Sequence, residues 1–154
     1  MDAVWAMSST HLSIHLHLVF STKSREPWFA PEMLARVHSY MGGVIRQMNA
    51  VPNAIGGVAD HVHLAVGLRA THYLPDVMRE LKSESSRWVH QELGLAGFSW
   101  QEGYGAFSFA ATSLEKVRRY IQHQEEHHRT TSFKEEYVKM LRRGMVEYDE
   151  RYLW

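Results

Sequence analysis

The 154-residue chain contains no cysteine, which excludes disulfides and every thiolate-bound metal site. It has 4 prolines, too few for a proline-rich linker to divide it. No run of about eighteen apolar residues occurs, so no membrane-spanning helix is expected. No charged stretch leads into an apolar one at the N-terminus, which argues against a secretory signal. Together these absences predict a cytoplasmic protein with no membrane partner.

An excess of charge of one sign is also missing, because Lys+Arg and Asp+Glu both total 17. Binders of nucleic acid usually carry a basic excess. Any affinity for a polyanion must therefore come from a local patch, from aromatic stacking or from a metal ion. Twelve of the 17 basic residues are arginine, the side chain better suited to forked phosphate contacts. Histidine is the unusual abundance, at 11 residues, and the histidines cluster.

The composition, 45% hydrophobic and 12% aromatic, supplies the core of one domain. No repeat or low-complexity segment interrupts it, so residues 1–154 read as a single domain with a loose leader over 1–10. Over 11–22, Ile14, Leu16, Leu18 and Phe20 alternate with His15, His17 and Val19, the period of a half-buried strand. Pro31-Glu32 opens a helix carrying Leu34, Val37, Met41, Val44, Ile45 and Met48 at helical spacing. Gly42-Gly43 weakens that helix and Pro52 lies beyond its end.

Strands are expected at 54–58 and 61–67 around a turn at Ala59-Asp60, then a second helix from Pro75-Asp76 with Leu74, Val77, Met78, Leu81, Ser85, Trp88 and Val89 on one stripe. Strands at 98–100 and 106–110 flank Gly103-Tyr104-Gly105. Thr112 with Glu115, and Ser132 with Glu135, form capping-box signatures for helices to about 127 and 143. The order β-α-β-β-α-β followed by helices predicts a ferredoxin-like α+β sandwich with an antiparallel sheet. Residues 112–154 form its C-terminal helical part.

Two patterns carry possible chemistry. In His61-Val62-His63 the histidines stand at i and i+2 of a strand, so both imidazoles share one face while Val62, Leu64 and Val66 face the core. Two imidazoles on a rigid strand make half a metal site. His15-Leu16-His17 has the same spacing, so one of the two pairs can be structural. In the third helix Tyr120 and Gln124 are four residues apart and share a face. A tyrosine hydroxyl with a pKa of about 10 needs a metal or base beside it to act as a nucleophile. By spacing alone Tyr120 also reads as an ordinary tyrosine of an amphipathic helix.

A series of words in order makes the pattern specific. They are His17-Leu18-Val19-Phe20-Ser21-Thr22-Lys23, Asp60-His61-Val62-His63-Leu64, Trp100-Gln101, Gly103-Tyr104-Gly105-Ala106-Phe107-Ser108, Tyr120-Ile121, Gln124-Glu125-Glu126-His127-His128 and Glu147-Tyr148-Asp149-Glu150. In these words the chain resembles the single-tyrosine HUH transposases of the insertion-sequence-200 type and their relatives associated with repetitive extragenic palindromes.

The resemblance implies that His61, His63 and Gln124 ligate a Mg2+ or Mn2+ ion. It implies that Tyr120 attacks a phosphodiester, becoming linked to the 5′ phosphate and releasing a 3′ hydroxyl. It further implies a homodimer acting on single-stranded DNA with hairpin ends, in which the tyrosine helix can complete either subunit's site.

Against that background Lys23, Lys82, Arg87, Arg118, Arg119 and Tyr104 are candidate DNA-binding residues. The basic ones would meet phosphates and Tyr104 would stack on an unpaired base. Arg79, Trp28 and Trp100 are weaker candidates of the same kinds. A solvated helix face or core packing is the plainer role for each. His127-His128 read as a helix C-terminal cap or as neighbours of the metal, and 148–154 as a packed or interfacial tail.

Four other readings compete. A histidine-triad hydrolase needs a third histidine where Val19 stands, and a two-histidine phosphoesterase needs a partner for His11-Leu12-Ser13. A domesticated relative that binds DNA hairpins without cutting them is the third. A structural dimer with incidental histidines is the fourth, and it leaves the ordered series of words unexplained.

Overall fold

Strand β1 (Ile14–Ser21) is the spine of the sheet. It pairs antiparallel with β3 (His61–Leu68) on one side and with β4 (Gly105–Ser108) on the other. Strand β2 (Val51–Val58) pairs with the far edge of β3, giving the order β2-β3-β1-β4. That is the expected ferredoxin-like arrangement. The computed structural model describes residues 9–154. Most of the leader expected over 1–10 therefore lies outside the described residues.

Side-chain alternation gives the sheet two unlike faces. Leu18, Phe20, Val62, Leu64 and Val66 point to one face and are buried under α1 (Pro31–Gln47) and α2 (Leu74–Glu92). Both helices begin with proline in the first turn, where the missing N–H costs nothing. Their buried stripes are Val37, Met41, Val44 and Ile45, and Val77, Met78, Leu81 and Val89. Burying each such side chain contributes about 1.5–3 kcal/mol, so this face carries the main core.

The opposite face presents His17, Val19, His61, His63 and Ala65, with Ala54 and Gly56 beside them on β2. It is covered by α3 (Leu114–Gln122), α4 (Gln124–His127) and α5 (Phe133–Arg143). Ile121 of α3 packs on Ala54 and Ala65, and Phe133, Tyr137 and Leu141 of α5 pack on Val19 with Leu153. Small residues are required beneath α3. A Cβ on Gly56 would lie 2.2 Å from the Ile121 carbonyl oxygen. Gly56 is also the cross-strand partner of His63, so the tyrosine-bearing helix is seated beside the histidine pair.

Several local expectations change. The helix expected over 112–127 is broken at His123 (φ −107°, ψ 29°), so Tyr120 and Gln124 belong to different helical segments. No capping box forms at Thr112, because the N-cap position falls on Ser113, whose side chain makes no cap hydrogen bond. Glu115 pairs instead with Arg118 at 2.6 Å. Ser132 does cap α5, accepting from the Glu135 backbone N–H at 3.2 Å.

The strand expected at 98–100 reduces to one bridge between Trp100 and Thr22. Phe98 and Trp100 turn inward to pack edge-on at 4.9 Å, which gave the segment its strand-like period. Strand β2 starts at Val51 and tolerates Pro52 because it lies at the sheet edge, with a register shift between Pro52 and Ala54. At the C-terminus Trp154 packs against Phe133 at 5.1 Å and Tyr137 at 5.7 Å. Among the described residues no helix is long and apolar enough to cross a membrane.

Candidate metal centre and nucleophile

His61 and His63 project from β3 into the space between the sheet and α3–α5, 2% and 0% exposed. Their Nε2 atoms converge on Glu136 Oε1 from α5, at 3.5 Å for His61 and 2.9 Å for His63. His128 Nε2 reaches the same oxygen at 3.2 Å. Gln124 closes one edge, its Oε1 lying 3.3 Å from His61 Nε2 and 3.0 Å from His128 Nε2. The hydroxyl of Tyr120 donates to Glu136 Oε2, and its ring stands 5.8 Å from that of His63.

The remaining ring nitrogens are held from outside. Asp60 Oδ1 lies 2.7 Å from His61 Nδ1, His17 Nε2 lies 2.9 Å from His63 Nδ1, and the Thr131 carbonyl lies 2.8 Å from His128 Nδ1. Such outer partners fix ring orientation and raise the basicity of the inward nitrogen. The role of the β1 histidines is thereby divided. His17 is buried behind His63, whereas His15 is paired with Phe109 and Ser13 away from the cluster.

The electrostatics follow from burial. Burial lowers the His63 pKa to about 4, outweighing the attraction of Glu136. Burial is also the largest influence on His61, but hydrogen bonds and charge from Asp60 and Glu136 together raise its pKa. The pair faces one carboxylate and diverges because only His61 has Asp60 behind it. Burial, then repulsion from His63, lowers His17 to about 3. Burial pushes Glu136 upward, yet hydrogen bonds from His128, His61 and His63 hold its carboxyl far below the usual range. Burial, reinforced by Glu136, pushes the Tyr120 hydroxyl well above the ordinary phenol value. As it stands the hydroxyl is a poor nucleophile.

These donors fit a divalent ion. One nitrogen each from His61, His63 and His128 and one oxygen from Glu136 lie within 4.8 Å of one another, the span of donors around a single ion. His127 adds a further sign. Its Nε2 is 3.2 Å from Glu136 Oε2 but off the line its N–H would need, and it is buried without a hydrogen-bond partner.

Glu136 is absent from the sequence-based site, and His128 enters it only as a helix cap or a neighbour of the metal. For Glu136 a signal existed, because it falls on the buried stripe of Phe133, Tyr137 and Leu141, where a carboxylate has no packing role.

The six candidate DNA-contacting residues are not gathered at this cluster. The Lys82 ammonium donates to the carbonyl oxygens of Gln101, Glu102 and Gly103 at 2.8, 3.0 and 2.6 Å. It also lies 5.6 Å from the centre of the Tyr104 ring. Lys82 and Tyr104 line an open cleft of about 410 Å³ with Arg79 and Trp100.

Arg87 pairs with Glu84 on the outer side of α2. Arg118 pairs with Glu115 and reaches the Asn53 carbonyl at 3.2 Å. Arg119 is exposed on α3 and Lys23 on the turn after β1. The cluster is thus built from neutral and acidic side chains, while the basic residues lie on the surfaces around it.

Residues 10–124 match the family described as IS200-like transposases. The fold is similar to the crystal structure of a candidate transposase from Deinococcus radiodurans R1, with a TM-score of 0.62 and 21% identity over 74% of this chain and 92% of that one. It is also similar to a REP-associated tyrosine transposase solved with a REP hairpin, with a TM-score of 0.51 and 16% identity over 75% of this chain and 68% of that one. No curated protein sequence matches the chain. With the family match running from the start of the sheet through His61, His63, Tyr120 and Gln124, this chain belongs to the IS200-like transposases.

Proposed function

We propose that the protein is a metal-dependent single-strand DNA endonuclease and strand transferase of the HUH type, with Tyr120 as nucleophile. The carrying observation is that the Tyr120 hydroxyl, His61, His63 and Gln124 converge within one chain on a single buried pocket. The donors His61, His63 and Gln124 would hold Mn2+ or Mg2+. Such an ion polarises phosphorus, neutralises developing charge and makes the 3′ oxygen a better leaving group.

The chain's own residues do the rest. Asp60 and His17 fix the imidazoles, and Glu136 Oε2 orients the Tyr120 hydroxyl through the hydrogen bond it accepts. Gly56 and Ile121 set the height of α3 over the sheet. In the reaction Tyr120 Oη bonds to phosphorus as the P–O3′ bond breaks. The electron pair leaves on the 3′ oxygen, and the phenolic proton ends there. The products are a 5′-phosphotyrosine and a 3′ hydroxyl. The linkage keeps the energy of the broken bond, so rejoining needs no nucleotide triphosphate, consistent with a sequence that has no P-loop.

The hairpin-bound relative supports single-stranded DNA with hairpin ends as the partner. Balanced net charge assigns a larger share of affinity to the local contacts at Lys23, Arg118, Arg119, Arg87, Lys82 and Tyr104. Assembly as a homodimer is part of the same reading.

The test is incubation with hairpin-bearing single-stranded DNA and manganese, followed by denaturing electrophoresis. A covalent protein–DNA adduct that vanishes in Tyr120→Phe is the expected result. Undiminished cleavage by Tyr120→Phe overturns the nucleophile. Hairpin retention without an adduct under any metal replaces the reading with the non-cleaving hairpin binder.

A further inference from the structure

We propose that His128 and Glu136 complete the metal centre, making it a three-imidazole, one-carboxylate site for a divalent transition-metal ion rather than for magnesium. This rests on the metal-dependent reading above and departs from a ligand set of His61, His63 and Gln124. Both added donors lie beyond residue 124, where the family match ends.

The inward donors are set by what holds each ring from outside. A carbonyl oxygen only accepts, so His128 Nδ1, 2.8 Å from the Thr131 carbonyl, carries that ring's proton. A carboxylate likewise accepts, so His61 Nδ1 carries its proton toward Asp60 at 2.7 Å. His61 and His128 are thus turned so that Nε2 faces the inside of the pocket. What they face is Glu136 Oε1, at 3.5 and 3.2 Å, and Gln124 Oε1, at 3.3 and 3.0 Å. Lone pairs directed at oxygens repel unless positive charge lies between them.

One divalent cation among the three Nε2 atoms and Glu136 Oε1 would engage all four donors, which lie within 4.8 Å of one another in a pocket where His61, His63 and Glu136 are each at most 3% exposed. It also explains why a carboxylate stands on the apolar stripe of α5, since a buried charge is retained when it is paired or ligates a metal.

Ligand chemistry then selects the ion. Imidazole nitrogens suit later divalent metals such as cobalt and zinc best and manganese less, whereas magnesium prefers oxygen donors in a strict octahedron with several waters. Gln124 Oε1 remains within reach as a further donor. The second Glu136 oxygen stays on the Tyr120 hydroxyl, tying the nucleophile to the ligand that helps to hold the ion.

The experiment is calorimetric titration of the full chain, stripped with a chelator and without DNA, using Mn2+, Co2+, Zn2+ and Mg2+. One site per chain is expected, with Mg2+ weaker than the transition metals by on the order of 100-fold. His128→Ala and Glu136→Gln should each weaken Mn2+ binding by about tenfold or more. The visible ligand-field spectrum of bound Co2+ should shift in His128→Ala. His123→Ala, whose ring turns to the Arg119 carbonyl, should bind as the unaltered chain does.

Circular dichroism and melting establish that each variant is folded, and Glu136→Asp and His128→Gln replace any that is not. Folded His128 and Glu136 variants with unaltered affinity, where His63→Ala has lost it, return the site to two histidines and a glutamine. Magnesium binding as tightly as manganese also overturns the proposal, as does the absence of any bound ion. The Tyr120-dependent adduct is scored separately, so strand transfer can stand where this ligand set fails.

Discussion

Substituting Gly56 by alanine tests whether the close seat of α3 builds the site. The new Cβ would stand 2.2 Å from the Ile121 carbonyl oxygen and 3.0 Å from Ile121 Cγ2. An ordinary contact needs about 3.5 Å, so the backbone at Ile121 must rise by about 1 Å. No flexible side-chain tip can absorb this, because the nearest atom is main chain. Tyr120 precedes Ile121, and Gln124 follows three residues later across the break at His123.

A displacement of that size breaks the Tyr120–Glu136 hydrogen bond and the 3.3 Å approach of Gln124 to His61. Misplacing a reacting group by about 1 Å costs on the order of 100-fold in rate. The strain itself costs about 1–3 kcal/mol of stability, which the separate core beneath α1 and α2 can bear.

Adduct formation on hairpin DNA, followed over time by denaturing electrophoresis, measures the first effect and urea unfolding the second. Gly43→Ala is the matched control, since a Cβ there meets nothing within 4 Å. In the middle of α1 it should stabilise by about 0.5–1 kcal/mol and leave the rate alone. A Gly56→Ala protein with the rate and stability of the unaltered chain would refute the reasoning.

Three other outcomes are expected. His38 on α1 is held by burial at a pKa of about 4, below its unfolded value, so it stabilises the fold above about pH 6.5 and that stability is lost as the pH falls toward 4. His38→Gln should flatten the acid side of the urea-midpoint profile by about 3 kcal/mol at most; an unchanged slope counts against a buried neutral imidazole. Ser132→Ala removes the only side-chain cap of α5 and should cost about 1 kcal/mol, read as a fall in melting temperature of about 2–4 °C. Asp60→Asn weakens the hold on His61 Nδ1 and should reduce Mn2+ affinity by about 10–100-fold, with calorimetry as the check.

The period of the apolar residues made β1, β3, α1 and α2 legible, because each buries a regular face against the main core. The sheet order followed from their succession. Features set by tertiary contact were not legible. Phe98 and Trp100 alternate like a strand, yet what fixes them is aromatic packing on Phe29 and Phe20. The break at His123 has no proline or glycine to announce it. There His123 Nδ1 meets the Arg119 carbonyl at 2.6 Å, a contact that spacing does not foretell.

The site divides in the same way. His61 and His63 are legible because strand parity puts them together, whereas Tyr120 and Gln124 are singled out by the ordered series of motif words, the helix face they were expected to share being broken at His123. Glu136 and His128 reach the pocket from beyond the helix break, and nothing local sets their distance from β3. Their arrival depends on the turn from 128 to 132 and on Phe133 stacking over His61 at 3.8 Å. Even so, an acidic residue inside an otherwise apolar helical stripe was a readable anomaly.

The parity of β3 has one last consequence. Its even-numbered residues hold the molecule together and its odd-numbered ones line the reactive pocket, with none left over for solvent between 61 and 66. Sliding this strand by one position would trade every imidazole for an aliphatic side chain, and hydrophobic residues for polar ones against α1 and α2. Folding fidelity and chemistry are thus secured by the same ladder of hydrogen bonds. A one-residue insertion or deletion here should abolish both at once.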